Sequence, residues 1–220
     1  MTIERYKADF RRLTEGELAA WQKVPTAIVG DVLNRAQCMA GVIKPLRSDM
    51  RVVGQARTAQ APAADNAAIH AILALARPGE VLVIDCQGHP DTGVWGGILT
   101  HAAVRARVAG VVLDGATRDS VEIIERGFPV FCRAIVPRGG QKGSYGMLDG
   151  PISVGGVPVR SGDLVIGDGD GVAIVPLQRV EQTLAEVKKV EERETEILAK
   201  IDAGKSTAEL LGIKIPDVNQ

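Results

Sequence analysis

An arginine followed by an aspartate, at the end of a run of β-branched residues, is the pair in this sequence best placed to do chemistry. The run is GVVLDGATRDS, residues 110–120, and the pair is Arg118-Asp119. Asp119 and Glu122 have capping-box spacing, so a helix beginning at Ser120 would account for the aspartate. It would not account for Arg118, because a cation beside a helix N-terminus opposes the macrodipole; Arg118 is expected to face an anion or a carboxylate partner. A second stretch, Trp95-Gly96-Gly97, precedes a helix expected from Ile98. There the free N–H groups of Ile98 and Leu99 form an anion site, and Gly96 and Gly97 permit a ligand to approach the backbone closely. If both loops open at one edge of a sheet, Arg118 and these amides grip a single carboxylate or enolate, and Asp119 can hold a divalent cation through oxygen.

His89, in the glycine-rich stretch GHPDTGVWGG, is the imidazole placed to act as acid or base; His101 lies on the following helix and reads as structural. No Ser–His–Asp signature is present, nor HxxxH or HExxH spacing, and the loop is not a P-loop because it lacks a GK[ST] ending. Asp168 to Gly171 lacks the ligand series of a calcium loop and reads as a turn between strands. Asp114 is expected to orient Arg118 or the local turn. Cys38, Cys86 and Cys132 are odd in number and far apart, which points to small buried hydrophobes rather than to a disulfide framework or a zinc site.

The elements that must position these groups follow a rhythm. Thr14 to Glu17 has capping-box spacing for a short helix through Trp21, and Pro25-Thr26 opens a second through Leu33, both expected at the periphery. Residues 51–60 read as a strand, and Asp65 caps the helical spacing of AAIHAILALA, which Pro78-Gly79 ends. VLVID (81–85) and GVVLD (110–114) are short apolar strands separated by the helix ILTHAAVRARVAG. SVEIIERG and PVFCR supply the next helix and strand. Such βαβ units predict a parallel sheet covered by helices, with ligands beyond the carboxyl ends of the strands. Past Arg138 the texture changes. GGQKGSYG reads as a flexible loop, ISVGGVPV as a hairpin and DLVIGDGDGVAIVP as two strands around a turn. A long amphipathic helix then runs from Leu177 to about Ala203. Glu194 falls near the centre of its apolar stripe, where a carboxylate either snorkels to water or is offered to another subunit.

Composition narrows the partners. The 220 residues carry a formal net charge of −1, and no stretch gathers Lys and Arg on one face, which argues against a phosphate-backbone ligand. Only three Phe, two Tyr and two Trp are available, too few for a base-stacking surface. The charged start MTIERYKADFRRL lacks the apolar core of a signal peptide, and no run is long enough to span a bilayer, so a cytoplasmic protein without membrane contact is expected.

Taken together, PTAIVGDVL, GQARTAQAPAADN, WGGILTHAA, GVVLDGATRD and GDLVIGDGDGVAIVP resemble the RraA-like proteins, which include the class II 4-hydroxy-4-methyl-2-oxoglutarate/4-carboxy-4-hydroxy-2-oxoadipate aldolases. The resemblance spans most of the chain. It implies an α/β, swivelling β/β/α-type domain over residues 1–176, with a helical arm over 177–220 packing on a neighbouring subunit of a homotrimer or dimer of trimers. It implies a lyase that releases pyruvate from a 4-hydroxy-2-oxo acid, with oxaloacetate decarboxylation as a side activity. Asp119 would ligate Mg²⁺ or Mn²⁺, Arg118 would hold the pyruvyl group and its enolate, and the backbone from Gly96 to Leu99 would bind the carboxylate. Glu194, or alternatively Glu191, would reach the neighbour's metal. The aldolases carry an acidic residue where this chain has Gly97, so Asp91 or His89 is the expected substitute. The same scaffold also admits a regulator that binds an RNA-degrading endonuclease, or a hydrolase or dehydratase of a 2-oxo intermediate.

Overall fold

The computed structural model describes residues 2–143 and 145–218. In chain order the elements are β1 (Thr2–Arg5), α1 (Glu15–Ala19), α2 (Thr26–Val32), β2 (Lys44–Pro45), β3 (Val52–Gln60), α3 (Ala67–Leu75), β4 (Val81–Asp85), β5 (Gly93–Trp95), α4 (Gly97–Arg105), β6 (Gly110–Thr117), α5 (Ser120–Glu125) and β7 (Val130–Ile135). There follow β8 (Tyr145–Leu148), β9 (Ile152–Val154), β10 (Val157–Val159), β11 (Leu164–Asp168), β12 (Gly171–Val175), a 3₁₀ turn (Leu177–Arg179), α6 (Val180–Asp202) and α7 (Thr207–Leu211).

The expected βαβ rhythm builds the centre: β3, β4, β6 and β7 run parallel and side by side. Period-two alternation sends successive residues of β4 to opposite faces, and both faces are buried. Leu82 and Ile84 pack with Ile69, Ile72, Leu99 and Ile123 of helices α3 to α5. Val81 and Val83 pack with Ile152, Val154, Val157 and Val159 of the β9–β10 hairpin. The result is a mixed α/β architecture with helices on one face of the sheet and a β layer on the other.

Strand β3 joins the two halves. Its first residues pair antiparallel with β11, its later ones parallel with β4, and its last two also with β8. The turn between β11 and β12 is structural, as its sequence suggests: Asp168 accepts from Thr26 N at 2.8 Å, Thr26 Oγ1 at 2.6 Å and Asp170 N at 3.0 Å, tying the turn to the start of α2.

Several expectations need correcting. Helix α1 ends at Ala19 and has no buried residue, but α2 is not peripheral: its Ile28 and Val29, with Trp21 before it and Leu33 at its end, join Leu164, Ile166, Val180 and Val187 in a third buried cluster. Part of the stretch read as a flexible loop after Arg138 is strand β8, which forms the parallel neighbour of β1 and pairs with the end of β3. Strand β6 runs on past Asp114 to Thr117 through an irregularity after Leu113. Cys86 and Cys132 are buried, and burial pushes the Cys132 thiol up to about 11; Cys38 is exposed, against expectation. Among the described residues no helix is long and apolar enough to cross a membrane.

Candidate active site

Two loops that are distant in sequence are hydrogen-bonded side by side at the carboxyl end of the parallel strands. β5 pairs with the extension of β6, Gly93 opposite Ala116 and Trp95 opposite Thr117. Arg118 N donates to Trp95 O at 3.0 Å, and Thr117 Oγ1 donates to the same carbonyl at 3.2 Å. Trp95 is anchored from beneath, its Nε1 donating to Thr100 Oγ1 at 2.8 Å and its ring stacked on Phe128 with centroids 6.1 Å apart. The condition that both loops open at one edge of the sheet is therefore met.

Asp119 does not act as the helix cap that its spacing suggests. Its backbone is left-handed, φ +57°, a conformation that Asp tolerates better than most residues, and its side chain makes no cap bond to α5. It instead accepts from Gly97 N at 2.9 Å, with Arg118 Nε 3.4 Å away. Glu122 leaves the capping box too, accepting from Arg126 Nη2 at 2.9 Å and Nε at 3.1 Å. Helix α4 begins at Gly97, and its first intrahelical bond is Thr100 N to Gly96 O, so Ile98 and Leu99 present amides ahead of the first turn.

The glycines are required by this proximity. A Cβ on Gly96 would lie 2.7 Å from Asp119 Oδ2, and one on Gly97 would collide with the Glu122 carboxylate. The space that an acidic side chain at position 97 would enter is thus filled by an acid delivered from one turn into α5. By its spacing from Asp119 alone, Glu122 reads as part of a capping box. Its position three residues after Asp119, on the same helical face, was the available signal.

A cavity of about 300 Å³ opens beside Arg118, lined by the segment from Gly93 to Leu99 and by Asn66, His70, Gly140 and Lys142. A second, more open groove has Arg118, Asp119 and Glu122 in its wall, so Arg118 stands between the two. The loop carrying Lys142 is held by Gly93 N to Arg138 O at 2.7 Å, Gln141 N to Ala64 O at 2.8 Å, Asn66 N to Gln141 O at 2.9 Å and Gly143 N to Asp65 Oδ2 at 2.6 Å. Asn66, His70 and Lys142 were not anticipated as site residues; Lys142 has no local sequence signal at all.

Other anticipated residues lie elsewhere. His89 is bonded to Thr92 Oγ1 of its own loop at 3.1 Å, and neither His89 nor the exposed Asp91 lines the cavity or the groove. The β5 pairing pulls the second half of that loop to the sheet and leaves these two outside. His101 is exposed on α4 beside Arg126. Asp114 does not orient Arg118; it accepts from Arg133 Nε and, at 2.7 Å, from Gly155 N, pinning β6 to β7 and to the hairpin turn. Glu194 is exposed and Glu191 half-buried on α6, and neither lines the cavity or the groove in its own chain.

The donor set can be tested against a divalent cation. Asp119 and Glu122 are half-exposed carboxylates flanking Gly96 and Gly97, a hard-oxygen pair of the kind Mg²⁺ accepts while keeping several waters. No cluster of three or more acidic, His or Cys ligands occurs among the described residues, which suits such a hydrated ion and does not suit zinc.

The family model described as RraA-like, Aldolase/RraA, matches residues 26–174. A Halalkalibacterium halodurans protein provisionally named a 4-hydroxy-4-methyl-2-oxoglutarate aldolase is 37% identical over 172 residues, 78% of this chain and 82% of its own length. The 4-hydroxy-4-methyl-2-oxoglutarate aldolase of Thermus thermophilus is 31% identical over 151 residues, 69% of this chain and 92% of its own. Among solved structures, a Streptomyces coelicolor member of the RNase ES inhibitor RraA family superposes with a TM-score of 0.77 at 27% identity, covering 86% of this chain and all of its own. The matched segment contains the Arg118-Asp119 loop, the glycine loop and the β11–β12 turn, and the chain belongs to the RraA-like family.

Proposed function

We propose that the protein is a divalent-metal-dependent lyase that cleaves a 4-hydroxy-2-oxo acid and releases pyruvate. The observation that carries this reading is that Arg118 lines one cavity with Ile98 and Leu99, whose amides open α4, and also lines the adjoining groove with Asp119, whose carboxylate is bonded to Gly97 N at 2.9 Å. Asp119 would hold Mg²⁺ or Mn²⁺, and the ion would supply Lewis-acid polarisation of the 2-oxo group. The Ile98 and Leu99 amides bind the substrate carboxylate at the positive end of α4. The C3–C4 bond breaks, its electron pair passes into the pyruvate enolate, and Arg118 stabilises the developing negative charge. Glu122 takes the proton that leaves the C4 hydroxyl as C4 becomes a carbonyl, the role for which Gly97 has no side chain. Protonation of the enolate at C3 completes pyruvate. Oxaloacetate decarboxylation passes through the same enolate and is expected as a side reaction.

The reading also places residues 177–220 as an arm on a neighbouring subunit of a trimer or dimer of trimers, bringing Glu194 to that subunit's metal. Two observations support it. Helix α6 packs on its own chain through Val180, Val187 and Val190 but leaves Leu198 60% exposed, and Ile98, Val121 and Ile135 stand exposed around the site.

The test is pyruvate release from 4-hydroxy-4-methyl-2-oxoglutarate and from oxaloacetate, with Mg²⁺ and then with EDTA. Removing a charge-stabilising donor typically costs about 10²–10³ in rate, so Arg118→Ala and Asp119→Ala should each abolish most turnover. Near-wild-type turnover in both variants would sink the assignment. The similarity to an RNase ES inhibitor family member supports a second reading, a regulator that binds an endonuclease without chemistry. No pyruvate from either substrate, together with tight binding to such a nuclease, would favour it.

A further inference from the structure

We propose that the protein binds the dianionic phosphate group of a small monoester in a basic pocket at the amino end of the central strands, away from the candidate active site and independently of the lyase reading.

No single stretch of the sequence gathers cations, but the fold brings three stretches together. Arg5, Lys7 and Arg12 of the N-terminal segment, Arg57 of β3 and Arg77 after α3 line one pocket of about 410 Å³, and no acidic side chain lines it. Arg57 sits opposite Leu82, the second residue of β4, whereas the candidate active site lies beyond the other end of the parallel strands. The two share no lining residue.

Pairing within the chain leaves the pocket with a surplus of charge. Lys7 bonds Asp9 at 2.7 Å, Arg12 bonds Glu80, and Arg57 bonds Asp149 at 2.7 and 2.9 Å. Arg5 reaches only to 4.0 Å from Asp149, a carboxylate already taken by Arg57, and the Arg77 side chain makes no hydrogen bond or ion pair among the described residues. Five cations thus share three carboxylates, which leaves two positive charges at one spot in a chain whose net charge is −1. The C-terminus of α3 favours a cation and accounts for Arg77. The other four end no helix.

Arg57 gives a sign of a ligand that does not depend on counting charges. Its side chain is 4% exposed, and the two bonds from Nε and Nη2 to Asp149 fix the guanidinium plane. Nη1 makes no hydrogen bond among the described residues and only a 3.5 Å ion contact with Glu80 Oε2. Both Glu80 oxygens are already engaged, Oε1 by Arg12 and Oε2 by Arg77 N at 2.8 Å. A buried donor left in this state is costly, and an oxyanion in the pocket would supply its acceptor. A phosphate dianion matches both the free guanidinium corner and the two surplus charges, whereas a single carboxylate would neutralise only one. Tyr6 and Leu75 line the same pocket and offer apolar surface to the group that the phosphate esterifies.

Calorimetry at low salt and about pH 8, where a phosphate monoester is a dianion, tests this with phenyl phosphate and benzoate, which share a ring and differ in charge. Phenyl phosphate should bind more tightly than benzoate, and inorganic phosphate should compete with it. The double variant Arg5→Ala/Arg77→Ala removes two exposed side chains and should weaken phenyl phosphate by about tenfold, the loss of two exposed charge contacts. Arg118→Ala should leave that affinity unchanged, because the other cavity is not where the phosphate binds. Benzoate binding as tightly as phenyl phosphate would overturn the proposal. So would an unchanged affinity in the double variant with thermal unfolding like the wild type, or loss of binding in Arg118→Ala.

Discussion

At the scale of single residues, the informative pair is Gly97 and Glu122. The space directly over Gly97 is held by a carboxylate that starts one turn into α5, so the acid and the glycine are one design seen from two loops. Glu122→Gln should preserve the fold and lower kcat by about 10²–10⁴, the usual contribution of a positioned acid or base, with KM little changed. A steady-state measurement showing full kcat would remove Glu122 from the mechanism. Gly97→Asp should be inactive beside Glu122, because the new side chain must displace that carboxylate, and the second change Glu122→Ala should restore part of the turnover. Failure of the double variant to exceed Gly97→Asp would mean that the two positions are not equivalent. Arg118 and Asp119 were legible as a pair of unusual chemistry, but the partner of Asp119 was not. A capping box and a bond to Gly97 N have the same local sequence, and the left-handed backbone at Asp119 chose between them.

At the scale of elements, short strands and buried carboxylates set the geometry of the loops. Asp114 joins Arg133 of β7 to the Gly155 amide of the hairpin turn, and it is 5% exposed. Asp114→Ala leaves that amide and a part-buried guanidinium without their acceptor, so the denaturant midpoint should fall by the equivalent of about 1–3 kcal/mol, with the site residues themselves unaltered. A loss below about 0.5 kcal/mol, the range of ordinary surface changes, would contradict this role. The His70 pKa is depressed from an ordinary value of 6.5, chiefly by burial at the α3 end of the cavity. Its folded pKa lies below the unfolded one, so the folded state binds fewer protons, and stability falls as pH drops from 6.5 through the folded value. His70→Asn should make the unfolding free energy less sensitive to pH in that window; an unchanged slope would exclude His70 as its source. The central βαβ strands and helices were legible because their periodicity is local. Strands β1, β5 and β8 were not, because they are held by pairing with distant partners rather than by a pattern of their own.

At the scale of the whole molecule, the remaining question is what covers the exposed end of α6 and the apolar residues around the site. Truncation after Val190 removes the part of α6 with Glu194 while keeping the packed Val180, Val187 and Val190. The shortened chain should fold but sediment as a smaller species than the full-length protein and lose most pyruvate release. A truncated protein with unchanged size and turnover would show that the arm completes no neighbouring site.

The sequence by itself determined the α/β class, the family, the order of the central strands and helices, and the Arg118-Asp119 and glycine loops as the candidate site. These follow from periodicity, β-branching and short motifs, whose physics acts between residues close in the chain. Only the tertiary structure decided that Glu122 stands over Gly97, that His89 and Asp91 lie outside the cavity, and that Asn66, His70 and Lys142 line it. Each of these depends on which loops the parallel sheet brings to one edge, and that is set by strand pairing across tens of residues, where side-chain type carries almost no record of its eventual neighbour.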